Sequence, residues 1–299
     1  MRAMNVPVID ITDLTKHYGK ARGIEHINLE IGKGEIFGFI GPNGAGKSTT
    51  IRILMNLIFP TSGSARIMGM DVIRQTKEIK ERVGYIPSEA NAYSYMQAGE
   101  FLDYCSRFYR RKEKNGRIHA LAGMFDLDLQ RKISDLSAGN RKKVSIVQAL
   151  IHRPELLIMD EPTTGLDPLI QSVFFELLRS ENREGMTIFF SSHVLAEIQM
   201  FCKRVAIIKD GRIIQLEDID TLRKRQLKKV SLELGKPFNA DDFHIRGAER
   251  ISTGPGNSVS FLYSGTVNDL VYFLSGNDIT NLMIEEPSLD EIFMHYYKV

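Results

Sequence analysis

One octapeptide, Gly41-Pro-Asn-Gly-Ala-Gly-Lys-Ser48, constrains the fold of this chain more than any other stretch. It matches GxxxxGK[ST] and sits between a strand-like and a helix-like segment. Before it, Glu35-Ile-Phe-Gly-Phe-Ile40 is a compact apolar run. After it, Ile51, Leu54, Met55 and Ile58 recur at the spacing of a helix over 48–58 with one buried face. Glycines let backbone N–H groups turn toward an anion without side-chain clash, and the helix presents its positive end to that anion. The pattern therefore predicts a nucleotide polyphosphate site lined by Gly41, Pro42, Asn43, Gly44, Ala45, Gly46 and Thr49. Lys47 would neutralise the β- and γ-phosphates, and Ser48 would offer its hydroxyl to Mg²⁺.

A second element fits the first. Leu156-Leu-Ile-Met-Asp160-Glu161-Pro162 is an apolar strand ending in two carboxylates. A buried strand would deliver Asp160 to a cation beside the phosphate loop, and Glu161 could orient or deprotonate an attacking water. Alone, a carboxylate pair after a strand says little; beside a phosphate loop it points to hydrolysis.

The rest of the chain frames these two elements. Residues 5–40 read as short strands broken by turns, and 91–123 as amphipathic helix rich in aromatics (Tyr93, Tyr95, Phe101, Tyr104, Phe108, Tyr109). The aromatics suit a core or a partner-facing surface. A further helix is expected after Ser137, with Val144, Val147, Leu150 and Ile151 on one face. Buried-strand runs at 156–159, 187–190 and 205–208, separated by helix-length stretches, predict a parallel sheet wound with helices. Lys209-Asp-Gly-Arg212 is a hairpin signal, because Asp-Gly suits the positive φ angles of a tight turn.

Composition shifts after about Thr221. Val230, Leu232 and Leu234 alternate as in a strand, and Gly254-Pro-Gly-Asn257 marks a turn between Ile251 and Val259. Val267, Leu270, Val271 and Leu274 suit a short amphipathic helix, and Ser288-Leu-Asp-Glu291 opens a final one. This predicts two domains, 1–220 and 221–299, with the helical stretch at about 89–150 inside the first.

Charge and cysteine content narrow the function classes. Basic and acidic residues nearly balance, 39 against 37, so nothing overall suggests wrapping a polyanion. The clusters Arg110, Arg111, Lys112, Lys114 and Arg223, Lys224, Arg225, Lys228, Lys229 read as solvated helix faces. Two cysteines, Cys105 and Cys202, without CxxC spacing argue against a disulfide framework and fit a reducing compartment. No signal-peptide core is legible at the N-terminus, and no apolar run approaches the ~20 residues that cross a bilayer. A soluble chain is expected, with any membrane role coming through a partner.

With a third element the sequence resembles the nucleotide-binding subunits of ABC ATPases: Leu136-Ser-Ala-Gly-Asn140 lies between the other two. The resemblance implies that this stretch opens a helix whose N-terminus points at the γ-phosphate held by another subunit, with Ser137 and Gly139 as donors. Further matches follow in the family's order. Gly165-Leu-Asp-Pro168 resembles the loop crossing the dimer, with Asp167 its working residue. Ser191-Ser-His193 resembles the switch loop, with His193 on the γ-phosphate. Tyr18, otherwise an aromatic at home in a core or on a surface, sits where the family stacks adenine.

Two departures stand out. Where the family places a glutamine after an aromatic-containing strand, Val83-Gly-Tyr-Ile-Pro87 is followed by Ser88 and Glu89, so only a short hydroxyl faces Mg²⁺ or water there. Ala138 and Asn140 replace the glycine and glutamine of many members. Neither change touches Lys47, Asp160 or Glu161.

The resemblance covers about residues 8–220. It implies an α/β P-loop NTPase core with an N-terminal antiparallel β subdomain, an inserted helical subdomain and a small C-terminal α+β module. That module and its ending, Glu286-Pro-Ser-Leu-Asp-Glu-Ile-Phe293, look like the bacterial exporter branch that includes drug- and antibiotic-resistance ATPases. The expected function is an ATPase binding ATP and Mg²⁺, paired with an identical or related ATPase subunit. A separate multi-spanning permease would be driven from the cytoplasmic face of the plasma membrane, with no nucleic acid partner. The competing reading is a soluble ABC ATPase acting on nucleic acid or ribosomes. DNA-repair relatives insert a long coiled coil between phosphate loop and signature, and translation-type relatives carry two ATPase halves; neither pattern is here. A catalytically dead regulator would have lost Glu161 or His193, and both are present.

Overall fold

The computed structural model describes residues 6–19, 21–89, 93–109, 114–224, 228–236, 245–285 and 287. Two compact units divide the chain, Met1–Ile219 and Asp220–Val299.

The first unit opens with β1 (Ile9–Tyr18), β2 (Ala21–Ile31), β3 (Ile36–Ile40) and α1 (Lys47–Leu54). It continues with β4 (Ser62–Ile67), β5 (Met70–Asp71), α2 (Thr76–Lys80) and β6 (Val83–Ile86). Then come α3 (Ala98–Ser106), α4 (Lys114–Met124), a 3-10 turn at Ile133–Asp135 and α5 (Ala138–Leu150). The unit ends with β7 (Leu156–Asp160), α6 (Pro168–Arg183), β8 (Thr187–Ser192), α7 (Leu195–Phe201), β9 (Arg204–Lys209) and β10 (Arg212–Asp218). A short helix, α8 (Ile219–Lys224), follows.

These strands form two sheets. One is antiparallel, in the order β2-β1-β4-β5; the other has the order β10-β9-β3-β8-β7-β6, parallel except for β10. The parallel strands are buried on both faces, which is why β3, β7 and β8 read as unbroken apolar runs rather than alternating ones. Phe37 and Phe39 of β3 lie against Phe189 of β8, with ring centroids 6.1 and 5.4 Å apart. Burying one such side chain stabilises the fold by about 1.5–3 kcal/mol.

Several elements differ from the sequence expectation for identifiable reasons. The short strands expected over 5–40 include two long ones, β1 and β2. Register shifts near Leu14 and Lys16, and left-handed backbone at Asp13 and His26, interrupt their alternation without ending the pairing. Helix α1 stops at Leu54 rather than Ile58. Asn56 adopts φ 49°, and the N–H groups of Asn56 and Leu57 donate to the Ile53 and Arg52 carbonyls, a Schellman closure. The helical pattern expected from residue 91 begins at Ala98, where the Glu100 carboxylate accepts from the Gln97 N–H; Ser94 and Tyr95 form a turn, and Gln97 makes a β-bridge with Lys132.

The second unit comprises β11 (Lys228–Leu234), β12 (Ala248–Thr253), β13 (Ser258–Tyr263), α9 (Val267–Ser275) and β14 (Ile279–Glu285). Its antiparallel sheet runs β12-β13-β11-β14. Leu270 of α9 packs with Val230, Leu232, Val259, Phe261 and Tyr263, and Thr266 caps the helix. The strand, turn and helix read from the sequence are all found; β14 was not legible. The helix expected from Ser288 lies outside the described residues.

Candidate functional site

Three neighbouring strands of the parallel sheet end side by side at their carboxyl termini. Register pairs Ile40 of β3 with Ser192 of β8, and Ser191 of β8 with Asp160 of β7. Ligands of open α/β sheets bind at this edge. The loop after β3, the Asp160-Glu161 pair and His193 meet there although the sequence keeps them far apart.

The loop is clamped from below. A Cβ at Gly41 would lie 2.2 Å from the Ile208 carbonyl oxygen, and one at Gly46 (φ +111°) would lie 2.6 Å from Ile24 Cγ2. Gly211, in the β9–β10 hairpin, donates its N–H to the Ala45 carbonyl at 2.9 Å. That hairpin, legible in sequence only as a turn, thus props the loop. Gly46 caps α1 without a side chain, so the first-turn N–H groups are left to an anion.

Lys47 is 4% exposed, and its Nζ donates to the Gly41 and Pro42 carbonyls at 2.6 and 3.1 Å. The same ammonium lies 3.4 Å from Glu161 Oε1, and His193 Nδ1 lies 3.1 Å from Glu161 Oε2. Glu161 has φ 48°, left-handed backbone that costs a non-glycine residue roughly 1–2 kcal/mol. Its N–H donates to the Ser191 carbonyl at 3.1 Å, which fixes the turn carrying the carboxylate. Asp160 is buried, and its Oδ1 accepts from Ser191 Oγ at 2.8 Å. Burial, with Asp160 adding to it, pushes the Tyr85 phenol up to about 12.

Ser48 and Thr49 sit half-buried in the first turn of α1. Asn43 and Gly44 are exposed at the loop tip. Tyr18 is exposed, with the Lys16 ammonium 5.4 Å from its ring centre. The ring borders Gly23, where a Cβ would lie 2.9 Å from it, and the Gly23 carbonyl in turn borders Gly46. Tyr18 therefore reaches the flank of the loop through one residue.

Ser137, Gly139 and Asp167 form a second group. Ser137 is exposed and caps α5, its Oγ accepting from the Asn140 N–H at 3.2 Å. Gly139 abuts the Gly165 carbonyl, 2.7 Å from where a Cβ would stand. Asp167 is exposed and caps α6, accepting from the Ile170 N–H at 3.0 Å. Ser88, half-buried, offers its carbonyl to the Lys142 ammonium at 2.9 Å.

Lys142 lies outside every motif read from the sequence, and Ser191, inside the Ser191-Ser-His193 stretch, was given no role of its own. Lys142 shares the row of Ile146 and Ala149, both buried, so a lysine on the apolar face of α5 was the available signal. Burial lowers its ammonium to about 8, against an opposing pull from Asp160 and Glu161.

Comparison with known proteins places this geometry. The sequence profile described as "ABC transporter" matches residues 24–164. The chain is 35% identical, over 96% of both lengths, to the bacitracin transport ATP-binding protein BcrA of Bacillus licheniformis. It is 36% identical to the ABC transporter ATP-binding protein NatA of Bacillus subtilis, covering 72% of this chain and 91% of that one. Among solved structures, an ATP-binding subunit of an ABC transporter superposes with TM-score 0.69 at 30% identity, covering 73% of this chain and 92% of that one. A dimeric ATP-binding cassette in a post-hydrolysis state with ADP and Pi superposes with TM-score 0.66 at 26% identity, covering 71% and 98%.

Proposed function

The chain belongs to the ABC transporter family as an ATP-binding subunit, and from that membership we propose that it powers export through a separate multi-spanning permease. It is an ATPase, and its fold is that of the family's cassettes. Among the described residues no helix is long and apolar enough to cross a membrane. The translocation path then belongs to the permease, and this chain would bind it at the cytoplasmic face of the plasma membrane. Export rests on the likeness to a bacitracin transport subunit over nearly the whole chain.

The observation that carries the catalytic reading is the Glu161 carboxylate, held between Lys47 at 3.4 Å and His193 at 3.1 Å. In this reading the loop 41–49 cradles the ATP phosphates with its backbone N–H groups, except at Pro42, which has none, and Ala45, which donates to the Pro42 carbonyl. Lys47 neutralises the terminal phosphates, and Tyr18 stacks the adenine. Glu161 takes a proton from the attacking water, and His193 turns to the γ-phosphate.

The donor set also fits Mg²⁺. Ser48 and Asp160 offer hard oxygens, and Ser191 occupies only one Asp160 oxygen. Among the described residues no group of three or more His, Cys, Asp or Glu could hold a metal. Such a site leaves room for phosphate and water ligands, as Mg²⁺ prefers. Bound there, Mg²⁺ would neutralise charge developing on the phosphates.

A second ATPase copy or homologue would complete the site with its Ser137, Gly139 and Asp167; the exposure of Ser137 and Asp167 in this chain supports that role. ATP would then join the two copies and hydrolysis would part them. A groove of about 840 Å³ lined by Tyr93, Phe101, Tyr104 and Phe108, among others, supports docking of the permease on the helical region. The test is purification of the full chain carrying Glu161→Gln from the membranes of its own cells in the presence of ATP. A multi-spanning protein should co-purify in stoichiometric amount. Recovery with ribosomes or nucleic acid, and with no membrane protein, would overturn the transporter reading.

A further inference from the structure

Lys142 is a cation to which the hydrolytic scheme assigns no task. It lies one turn past the Ser137 cap on α5 and is 3% exposed. An ammonium stripped of water must find acceptors, and this one finds two main-chain oxygens, Pro87 at 2.8 Å and Ser88 at 2.9 Å. Pro87 and Ser88 continue β6, which pairs with β7 up to Ile86 opposite Met159. One residue further along β7 stands Asp160.

The approach of α5 to β6 is built in. A Cβ at Gly84 would lie 2.4 Å from the Ala149 carbonyl oxygen, so only glycine lets the helix settle on the strand. Helix α5 is thus seated on β6 at one end and tied to the segment after β6 at the other. Its beginning carries the exposed cap Ser137 and the half-buried Gly139.

We propose that Lys142 is a positioning residue for ATP hydrolysis, fixing Ser88 beside Asp160 and joining that position to the helix whose start serves the neighbouring subunit's nucleotide. This rests on the reading of Ser88 as a residue on the metal side of the site. The hold acts on carbonyls, so the Ser88 hydroxyl stays available while its backbone is fixed. Glutamine, one bond shorter and uncharged, would leave at least one of the two inward carbonyls without its partner and Ser88 free to shift. Arginine can reach the same oxygens and keeps the charge.

The test is a double-mutant cycle on the full chain, reading steady-state Mg-ATP turnover and ATP titration for Lys142→Gln, Lys142→Arg, Ser88→Ala and the Lys142→Gln/Ser88→Ala pair. Lys142→Gln should lower kcat by about tenfold or more, with KM for ATP changed less than about twofold. Lys142→Arg should recover most of the loss. In the Ser88→Ala background, Lys142→Gln should cost less than about twofold further. If Ser88→Ala is impaired and the two losses multiply, Lys142 does not act through Ser88 and the inference is wrong. If Ser88→Ala turns over at the wild-type rate, the reading of Ser88 has failed and the inference falls with it. Thermal melting checks folding; should Lys142→Gln fail to fold, Lys142→Arg is read in both Ser88 backgrounds instead, where its partial loss must vanish with Ser88→Ala.

Discussion

Gly41→Ala asks whether the phosphate loop is held in place by the strand beneath it. The added Cβ would lie 2.2 Å from the Ile208 carbonyl oxygen, 2.8 Å from Ile208 Cγ2 and 3.1 Å from Ala45 Cβ. Non-bonded contacts settle at about 3.5–4.0 Å between carbons and a few tenths less to oxygen, so the 2.2 Å approach must open by at least about 1 Å. Ile208 is poorly placed to yield, because β9 is locked by Ile207 against Ile40 of β3 and by Ile208 against Ile213 of β10. The loop must move instead, and it carries the Gly41 and Pro42 carbonyls that hold Lys47. Overpacking of this kind costs about 1–3 kcal/mol, which at roughly 2–4 °C per kcal/mol lowers Tm by about 2–12 °C. Moving the loop by about 1 Å should cost turnover on the order of a hundredfold.

Gly34→Ala is the control. Gly34, in the turn before β3 and outside the phosphate loop, has φ +71° and no atom within 4 Å of a Cβ, so alanine there meets backbone strain of about 1–2 kcal/mol but displaces nothing. Melting temperatures of the two variants should therefore be similar, while Mg-ATP turnover and nucleotide titration should separate them. If Gly41→Ala keeps ATP affinity and turnover within about twofold of wild type, the loop is not clamped against β9 and the argument fails.

Three further outcomes are expected. Glu161→Gln should lower turnover by about 10²–10⁴-fold while holding ATP, so that size-exclusion chromatography in Mg-ATP shows an accumulated dimer; normal turnover would remove Glu161 as the base. Ser137→Phe should reduce hydrolysis on the order of a hundredfold or more yet leave ATP titration of the monomer unchanged. A collapse of monomer affinity would show that Ser137 does not act on a neighbouring subunit's nucleotide. Burial raises the Cys105 thiol from its ordinary 9.0 to about 11, so it stays protonated at pH 8 and its thiolate grows about tenfold per pH unit up to that value. Iodoacetamide labelling of the folded protein followed by mass spectrometry should show that rise, and a plateau near pH 9 would contradict it.

Legibility along the chain follows the range of the forces involved. The buried strands β3, β7, β8 and β9 were readable because a strand covered on both faces must be apolar throughout. The β9–β10 turn was readable because Asp210 and Gly211 both take positive φ. The end of α1 was not, since Asn56 closes the helix through hydrogen bonds that periodicity does not register. Strands β1 and β2 looked like fragments because their bulges break alternation. Strand β14 gave no signal, being an edge strand with exposed Leu282, Met283 and Ile284.

The same division holds at the site. What the amino-acid order determined alone is the set of reacting groups. A glycine-rich cradle, a lysine and a hydroxyl, and two carboxylates after a buried strand can each be named from local pattern, because backbone freedom and residue chemistry are local properties; His193 was named through the family resemblance. What only the tertiary structure decided is which of them touch. Parallel register sets Asp160 beside Ser191, and the left-handed turn at Glu161 carries its carboxylate to Lys47 and His193. The close seat of α5 on Gly84 delivers Lys142 to Ser88. Those contacts depend on how distant segments pair and pack, and such pairing is settled by the whole core rather than by any one stretch of chain.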